Sequence, residues 1–463
     1  MTAYWCERAW LGTGEVVAGL VVETSGTHIA STRRSSTVPA DATRLPGLTI
    51  PGFANCHSHA FHRALRGRTQ RERGSFWTWR ETMYDVAARL DPDSYYALAL
   101  ATYEEMALAG ITSVGEFHYL HHGVDGTRYD DANAMGRALV EAATQAGLRI
   151  ALIDTCYLSS GFGGDPEGVQ LRFSDGDVGS WADRVARLGG EFDAEGRPDV
   201  VVGSAIHSVR AVGRDDLAAV AAARPAAPLH LHLSEQVAEN DACLERYGCT
   251  PTRLLSDAGV LSPRTTAVHA THLTRDDIAL LGGAGCFVDF CATTERDLAD
   301  GVGPATGLVQ AGATLTLGSD SHAVVDMFEE MRAVELDERL VSLRRGHWRA
   351  DDLLAAATRD GHRSLGFATA GMIEAGHWAD LVTVDLDSPR TAGAGAGAES
   401  VVFAATAADI TSVVASGRLL DRDSQGVGRR LGKAIASITS PVEGAEMSRR
   451  EGGYPPPTRD GTR

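Results

Sequence analysis

The stretch LTIPGFANCHSHAFHRAL, residues Leu48 to Leu65, runs an apolar strand-like segment through Pro-Gly and then sets His57 and His59 two positions apart. Along a β-strand every second side chain points to the same face, so a His-x-His pair aims both imidazoles at one point. Two converging imidazoles suit a divalent metal. Zinc takes about four ligands, so the pair is half a site and the remaining donors must come from elsewhere. The competing reading is two surface histidines in a loop, and the rest of the chain has to decide.

Outward from this stretch, eight segments read as strands: LTIPGFAN, ITSVGEF, RIALIDTCY, DVVVGSAIH, APLHLHL, TTAVHA, GCFVDFC and TLTLGSD. They alternate with helical stretches such as DPDSYYALALATYEEMALAG, which is the pattern of a parallel sheet with covering helices. Eight strands close a (β/α)8 barrel, a fold whose functional residues sit at the C-terminal strand ends. Those ends carry His57 and His59; Glu116, His118 and Tyr119; His207 and Arg210; His232 and Glu235; His269 and His272; Thr293, Thr294 and Glu295; Asp320 and His322. The expected class is therefore α/β. Residues 48–378 form the barrel, and residues 1–47 with 379–422, rich in short β-prone runs such as SVVFAA, form a small β-sandwich domain. Residues 423–463 are a polar tail with one short helix around RRLGKAIASI before a disordered end.

HLHLSE, residues His230 to Glu235, separates two roles. His232 ends a strand and can ligate a metal, while Glu235, just beyond it, stays free to carry a proton between water and substrate. Asp320 ends the last strand in LTLGSDSH, where a carboxylate can both touch the metal and accept a proton.

Bulk composition narrows the field. The 463 residues carry a formal charge of −18, which argues against nucleic acid as partner. No apolar run reaches a membrane-spanning length, and the start MTAYWCERAWLG lacks basic and apolar signal regions, so a cytoplasmic protein with no membrane partner is expected. The seven cysteines are scattered without a Cys-x-x-Cys pair, which suggests neither a disulfide framework nor a thiolate zinc site. Lys433, in the polar tail, is the one lysine. P-loop, Schiff-base and pyridoxal phosphate chemistry are thereby excluded, as is a metal pair bridged by a modified lysine.

The combination of PGFANCHSHAF, HLHLSE, VHATH and LGSDSH resembles the amidohydrolase superfamily, in its mononuclear deaminase branch. The resemblance covers nearly the whole chain. It implies His57, His59, His232 and Asp320 as metal ligands, Glu235 as proton shuttle and His269 as electrostatic helper. One divalent ion per chain, zinc, is implied, together with a homodimer. Narrower blocks, FWTWRETMY, EFHYLHH, HSVRAV and CATTERDLADG, resemble the formimidoylglutamate deiminase family of histidine degradation. That resemblance implies a small dianionic substrate, N-formimino-L-glutamate, held by Arg80, Tyr119, His207 and Arg210, and hydrolysed to N-formyl-L-glutamate and ammonia. The family reads HSHAFQRA where this chain has His62 after Phe61, so one substrate contact departs from the pattern.

Blander readings stand beside these. Arg80, beside Trp77 and Trp79, could be a stacked surface arginine; Tyr119 could be core; His118, His121 and His122 read as hydrogen-bonded loop histidines. His272 competes with His269, which is favoured because it lies at the strand terminus. Two other functions remain open. One is a deaminase of a heterocycle such as guanine, cytosine or an adenosine derivative on the same metal set. The other is a non-catalytic assembly protein, which the complete ligand set disfavours.

Overall fold

Two hydrogen-bonded sheets contain the strands of the computed structural model, which describes residues 1–70 and 76–440. All eight expected barrel strands are present: β5 (Phe53–Ser58), β6 (Ile111–His118), β7 (Arg149–Cys156), β8 (Val200–Ile206), β9 (Leu229–Leu233), β10 (Thr265–His269), β11 (Phe287–Phe290) and β12 (Thr314–Leu317). Each pairs in parallel with the next in order. β6 and β7 are buried along their whole length, as parallel strands covered on both faces must be. The helix Pro92–Leu108 starts where the sequence marks it: the Asp91 carboxylate accepts from Ser94 N at 2.8 Å, Ser94 Oγ accepts from Asp91 N, and proline opens the helix.

The seam between β12 and β5 closes only at its C-terminal end. There Ser319 N and Asp320 N donate to His57 O at 3.1 and 2.9 Å, and His59 N donates to Asp320 O at 3.2 Å. Asn55 seals the seam from within, its Oδ1 accepting from Ser319 N at 2.8 Å and its Nδ2 donating to Ser319 Oγ at 2.7 Å. Gly318 permits this approach, since a Cβ there would lie 2.8 Å from His57 Cβ and 2.7 Å from Asp289 Oδ2.

The terminal segments build one seven-stranded sheet in the order β15-β14-β13-β4-β1-β2-β3, with β1 (Thr2–Ala9), β2 (Val17–Ser25), β3 (His28–Arg34), β4 (Ala42–Pro51), β13 (Leu381–Val384), β14 (Ile410–Ala415) and β15 (Arg418–Leu419). Where a sandwich is expected, the ladder is continuous and coils on itself: His28 bridges to Trp378, just before β13, around a core that includes Tyr4, Leu20, Val22, Leu381 and Val414. β4 runs to Pro51, so Leu48–Pro51 belongs to this sheet although the barrel is expected to begin at 48. The switch between sheets falls at Gly52, where a Cβ would collide with the Thr112 side chain at 2.3 Å.

Two local expectations are corrected. SVVFAA is not a strand: Ala398–Phe403 is a helix whose end is tied to the helix Met327–Ser342 by Arg332, which donates to the carbonyls of Val402 and Ala405. The C-terminal helix is longer than RRLGKAIASI and spans Ser424–Thr439, burying Val427, Leu431, Ala434 and Ile438 at helical spacing. The disordered end expected beyond it, residues 441–463, lies outside the described residues, as does part of the arginine-rich run after Leu65.

Behind the barrel strands, Arg184 is clamped between two buried carboxylates. Its Nη1 and Nη2 donate to Asp154 at 2.8 and 2.9 Å, and its Nε and Nη2 reach Asp175 at 3.1 and 2.9 Å. Burial alone raises both carboxyls, but Arg184 holds Asp154, and His122 with Arg184 holds Asp175, below the ordinary carboxylate range. Groups depressed in this way contribute stability that is complete above the unfolded pKa of about 4 and is lost on acidification. Arg184→Met should therefore cost about 3–5 kcal/mol of unfolding free energy near neutral pH. The gap from wild type should narrow as the pH falls from about 7 to about 4, because the orphaned carboxyls of the variant take up protons. Denaturation midpoints across that range check this, and a pH-independent gap would contradict it.

Candidate metal centre

His57 and His59 project from the end of β5 into the barrel mouth, while Ser58 between them faces the other way. Ser58 Oγ donates to Glu116 Oε2 at 2.7 Å and meets His322 Nε2 at 3.0 Å, and Glu116 Oε1 accepts from Ala60 N at 2.7 Å. The period-two geometry read from the sequence is thus fastened on its outer side by Glu116, a buried carboxyl that burial pushes up to about 7.

The expected ligands converge. Asp320 Oδ1 lies 3.2 Å from His57 Nε2 and 3.1 Å from His59 Nε2, and His232 Nε2 lies 3.1 Å from His57 Nε2. His269 joins this group: its donor atom falls within the same cluster as those of His57, His232 and Asp320. The outer nitrogens show what the inner ones are for. His59 Nδ1 is 3.0 Å from Phe117 O, and His232 Nδ1 is 3.0 Å from His207 O. A carbonyl only accepts, so each Nδ1 carries the proton and each Nε2 presents a lone pair. Lone pairs facing one another and a carboxylate repel unless a cation lies among them, which is the donor chemistry of a divalent metal site. The electrostatics agree. Burial lowers His57 to about 3 and His232 well below the ordinary histidine value, so both stay neutral as ligands must. Burial alone raises Asp320, but its contacts with His57 and His59 hold it well below the ordinary carboxylate range.

Strand ends here leave regular geometry. Ser234, His269, Ala270, Asp320 and His322 all adopt the left-handed region, with φ between 39° and 68°. For residues other than glycine this is strained, and such strain collects where surrounding contacts over-determine a functional geometry.

His59 and Asp320 also form a donor group with His62, and a third group, His118, His121 and Asp154, is buried elsewhere among the described residues. It is not arranged for a cation: both Asp154 oxygens are taken by Arg184, with Trp181 Nε1 on Oδ1 at 3.1 Å, and His121 Nε2 meets Thr155 O at 2.9 Å.

Beside the cluster opens a cleft lined by His59, His62, Arg80, Tyr119, His207, Arg210, His232, Glu235, His269 and Asp320, among others. Every residue singled out as ligand, shuttle, helper or substrate contact therefore meets there, except His57, which lies just beneath. Arg80 packs over the Tyr84 ring and donates to its hydroxyl from Nε and Nη2 at 2.8 and 2.6 Å. It is thus a pocket arginine rather than a surface one. Arg210 Nε lies 3.4 Å from Glu239 Oε2. His62 Nε2 is 2.9 Å from Tyr119 Oη, so the departure from HSHAFQRA is absorbed by a hydrogen bond inside the pocket wall. Glu235 Oε1 is 4.0 Å from His269 Nε2. His272 faces away, toward the Gly301 turn. Sequence reasoning placed Glu116 and Glu295 at strand ends without giving them a role, and it missed Tyr84 and Glu239, ordinary polar residues within helices.

A family model described as the amidohydrolase family matches residues 48–420. A formimidoylglutamate deiminase of Pseudomonas aeruginosa is 35% identical over 454 residues, covering 95% of this chain and 99% of its own. Among solved structures, an amidohydrolase from Brucella melitensis aligns with a TM-score of 0.87 at 31% identity, over 95% of this chain and 100% of its own. An adenosine deaminase from Xanthomonas campestris with bound zinc aligns with a TM-score of 0.81 at 23% identity, over 94% of this chain and 98% of its own. Among the described residues no helix is long and apolar enough to cross a membrane.

The lone-pair geometry predicts about one tightly held divalent ion per chain. His57→Ala and His232→Ala should each abolish that retention, because metal affinity depends on the complete donor set. Elemental analysis of gel-filtered protein checks this; two ions per chain, or retention by both variants, would contradict it.

Proposed function

Given that the chain belongs to the amidohydrolase family, we propose that it hydrolyses N-formimino-L-glutamate to N-formyl-L-glutamate and ammonia, the deimination step of histidine degradation, with zinc held by His57, His59, His232 and Asp320. The observation that carries this reading is the pairing of Arg80 and Arg210 on the walls of a cleft whose floor is the histidine–aspartate cluster. An acidic protein that binds a dianion must concentrate positive charge locally, and a planar guanidinium matches a carboxylate with two parallel hydrogen bonds. The name of the Pseudomonas aeruginosa relative supports the same substrate.

The ion supplies Lewis acidity, which lowers the pKa of water toward about 7. Asp320 accepts the proton that water gives up as it attacks the formimino carbon. Glu235 sits at the cleft wall, with its carboxylate near His269 and no part in the lone-pair cluster, so it is free to deliver a proton to the departing nitrogen. His269 balances charge on the tetrahedral adduct. Burial alone lowers its pKa, but Glu235 and the bond to Glu295 push it up to about 10, so it is positive at neutral pH. Tyr119 and His207 complete the pocket around the glutamate chain, and Arg80 and Arg210 hold its two carboxylates. Collapse of the adduct releases ammonia and leaves the formyl amide.

An ammonia-release assay across N-formimino-L-glutamate, guanine, cytosine and adenosine derivatives should find kcat/KM highest for the first. Arg210→Met should retain metal and lose about 2–5 kcal/mol in kcat/KM, since a substrate carboxylate is left without its partner. Glu235→Gln should keep metal and lose about 10²–10⁴-fold in turnover. Preference for an uncharged heterocycle, or near wild-type kcat/KM in Arg210→Met, would contradict the dianion pocket.

A further inference from the structure

His269 differs from the neighbouring imidazoles in what holds it. The Nδ1 atoms of His59 and His232 rest on backbone carbonyls, whereas His269 Nδ1 lies 3.3 Å from a carboxylate oxygen, Glu295 Oε1. The support is long-range in sequence and is not set by strand geometry. His269 and Ala270 both leave β10 in the left-handed region, with φ of 68° and 47°, so the strand does not dictate where the ring points. The ring is held by stacking on His232, 5.6 Å between centroids at 19°, by an edge contact with the His57 ring at 6.0 Å, and by the bond to Glu295.

Glu295 is itself held from several sides. It sits on the short helix Ala292–Leu298 after β11, is 4% exposed, and the same Oε1 accepts from Cys291 N at 3.0 Å. The start of that helix is clamped by Glu330, which accepts from Thr293 N at 3.1 Å and from Thr293 Oγ1. Thr294 Oγ1 donates to Ser319 O at 3.2 Å and meets Ser321 Oγ at 3.0 Å, the residues on either side of Asp320. One helical turn therefore braces the carboxylate behind His269 and the loop that carries Asp320.

We propose that Glu295 is the positioning residue of the centre: its carboxylate holds the Nδ1 proton of His269 and so turns Nε2 toward Glu235 and the reacting carbon. The inference rests on the participation of His269 proposed above. Glu295 makes no contact with substrate in this arrangement, since it does not line the cleft and its carboxylate is spent on His269 Nδ1 and Cys291 N. A carboxylate only accepts, so it keeps a proton on Nδ1 and fixes the ring plane. Outer partners of this kind typically carry about 10–100-fold of activity, as seen for the groups that orient metal-ligating histidines.

A double-mutant cycle separates this role from plain structural support, because two residues acting through one interaction are not additive. Glu295→Gln should lower kcat about 10–100-fold while KM stays within about threefold and metal content is unchanged. Glu295→Asp, which keeps the charge, should recover part of the loss. In a His269→Asn background, Glu295→Gln should change kcat by less than about twofold. The cycle uses whichever substrate of the ammonia panel the wild type turns over best, so failure of N-formimino-L-glutamate overturns the proposed substrate and leaves this test intact. A readout without turnover accompanies it: in 15N-histidine spectra of the metal-loaded protein, the resonance missing from His269→Asn should show a protonated Nδ1, and Glu295→Gln should shift that resonance. A full Glu295→Gln effect in the His269→Asn background, wild-type kcat in Glu295→Gln, or an unprotonated Nδ1 in the wild type would each overturn the proposal.

Discussion

The hydrogen bonds that close the barrel between its last and first strands are the constraint on which the centre depends. Ser319 N and Asp320 N bind His57 O while His59 N binds Asp320 O, so the backbone bonds that close the seam are made by three of the candidate donor residues together with Ser319. Closing the sheet and assembling the donors are one event. Asn55 within the seam and Gly318, which leaves no side chain in it, let the backbones come that close. Any substitution that widens the seam separates Asp320 from the two histidines before it disturbs the rest of the fold.

Around this seam the protein arranges rigid supports in layers. Glu116 fastens Ser58, backbone carbonyls fix the tautomers of His59 and His232, and a carboxylate meets His269 Nδ1. The left-handed backbone at Ser234, His269, Ala270, Asp320 and His322 shows where that rigidity is spent, at the strand ends that carry chemistry. Deeper in the wall, Arg184 bridges the two buried carboxylates of Asp154 and Asp175.

Much of this was legible in the sequence because it depends on local periodicity. Strands ending in HSH, HLHLSE, VHATH and GSDSH announce themselves by pattern, and the barrel places strand ends together whatever the loops do. Less visible were features that depend on tertiary partners. SVVFAA reads as a strand by composition, yet it caps against Arg332 as a helix. The closure of the small sheet on itself, where His28 bridges to Trp378, is encoded by no periodicity. Glu239 looks like a solvated acid in a helical pattern until the fold sets it beside Arg210, and Glu295, though placed at a strand end, carries no sign of its contact with His269.

The central claim is that the seam of the barrel exists to gather four donors around one ion. Anomalous diffraction at the zinc absorption edge, from crystals of protein grown without added metal other than zinc at stoichiometric concentration, tests it most directly. The account predicts a single strong peak in each chain, bounded by His57, His59, His232 and Asp320. A strong peak at His118, His121 and Asp154, or a second of equal height beside the first, would contradict it.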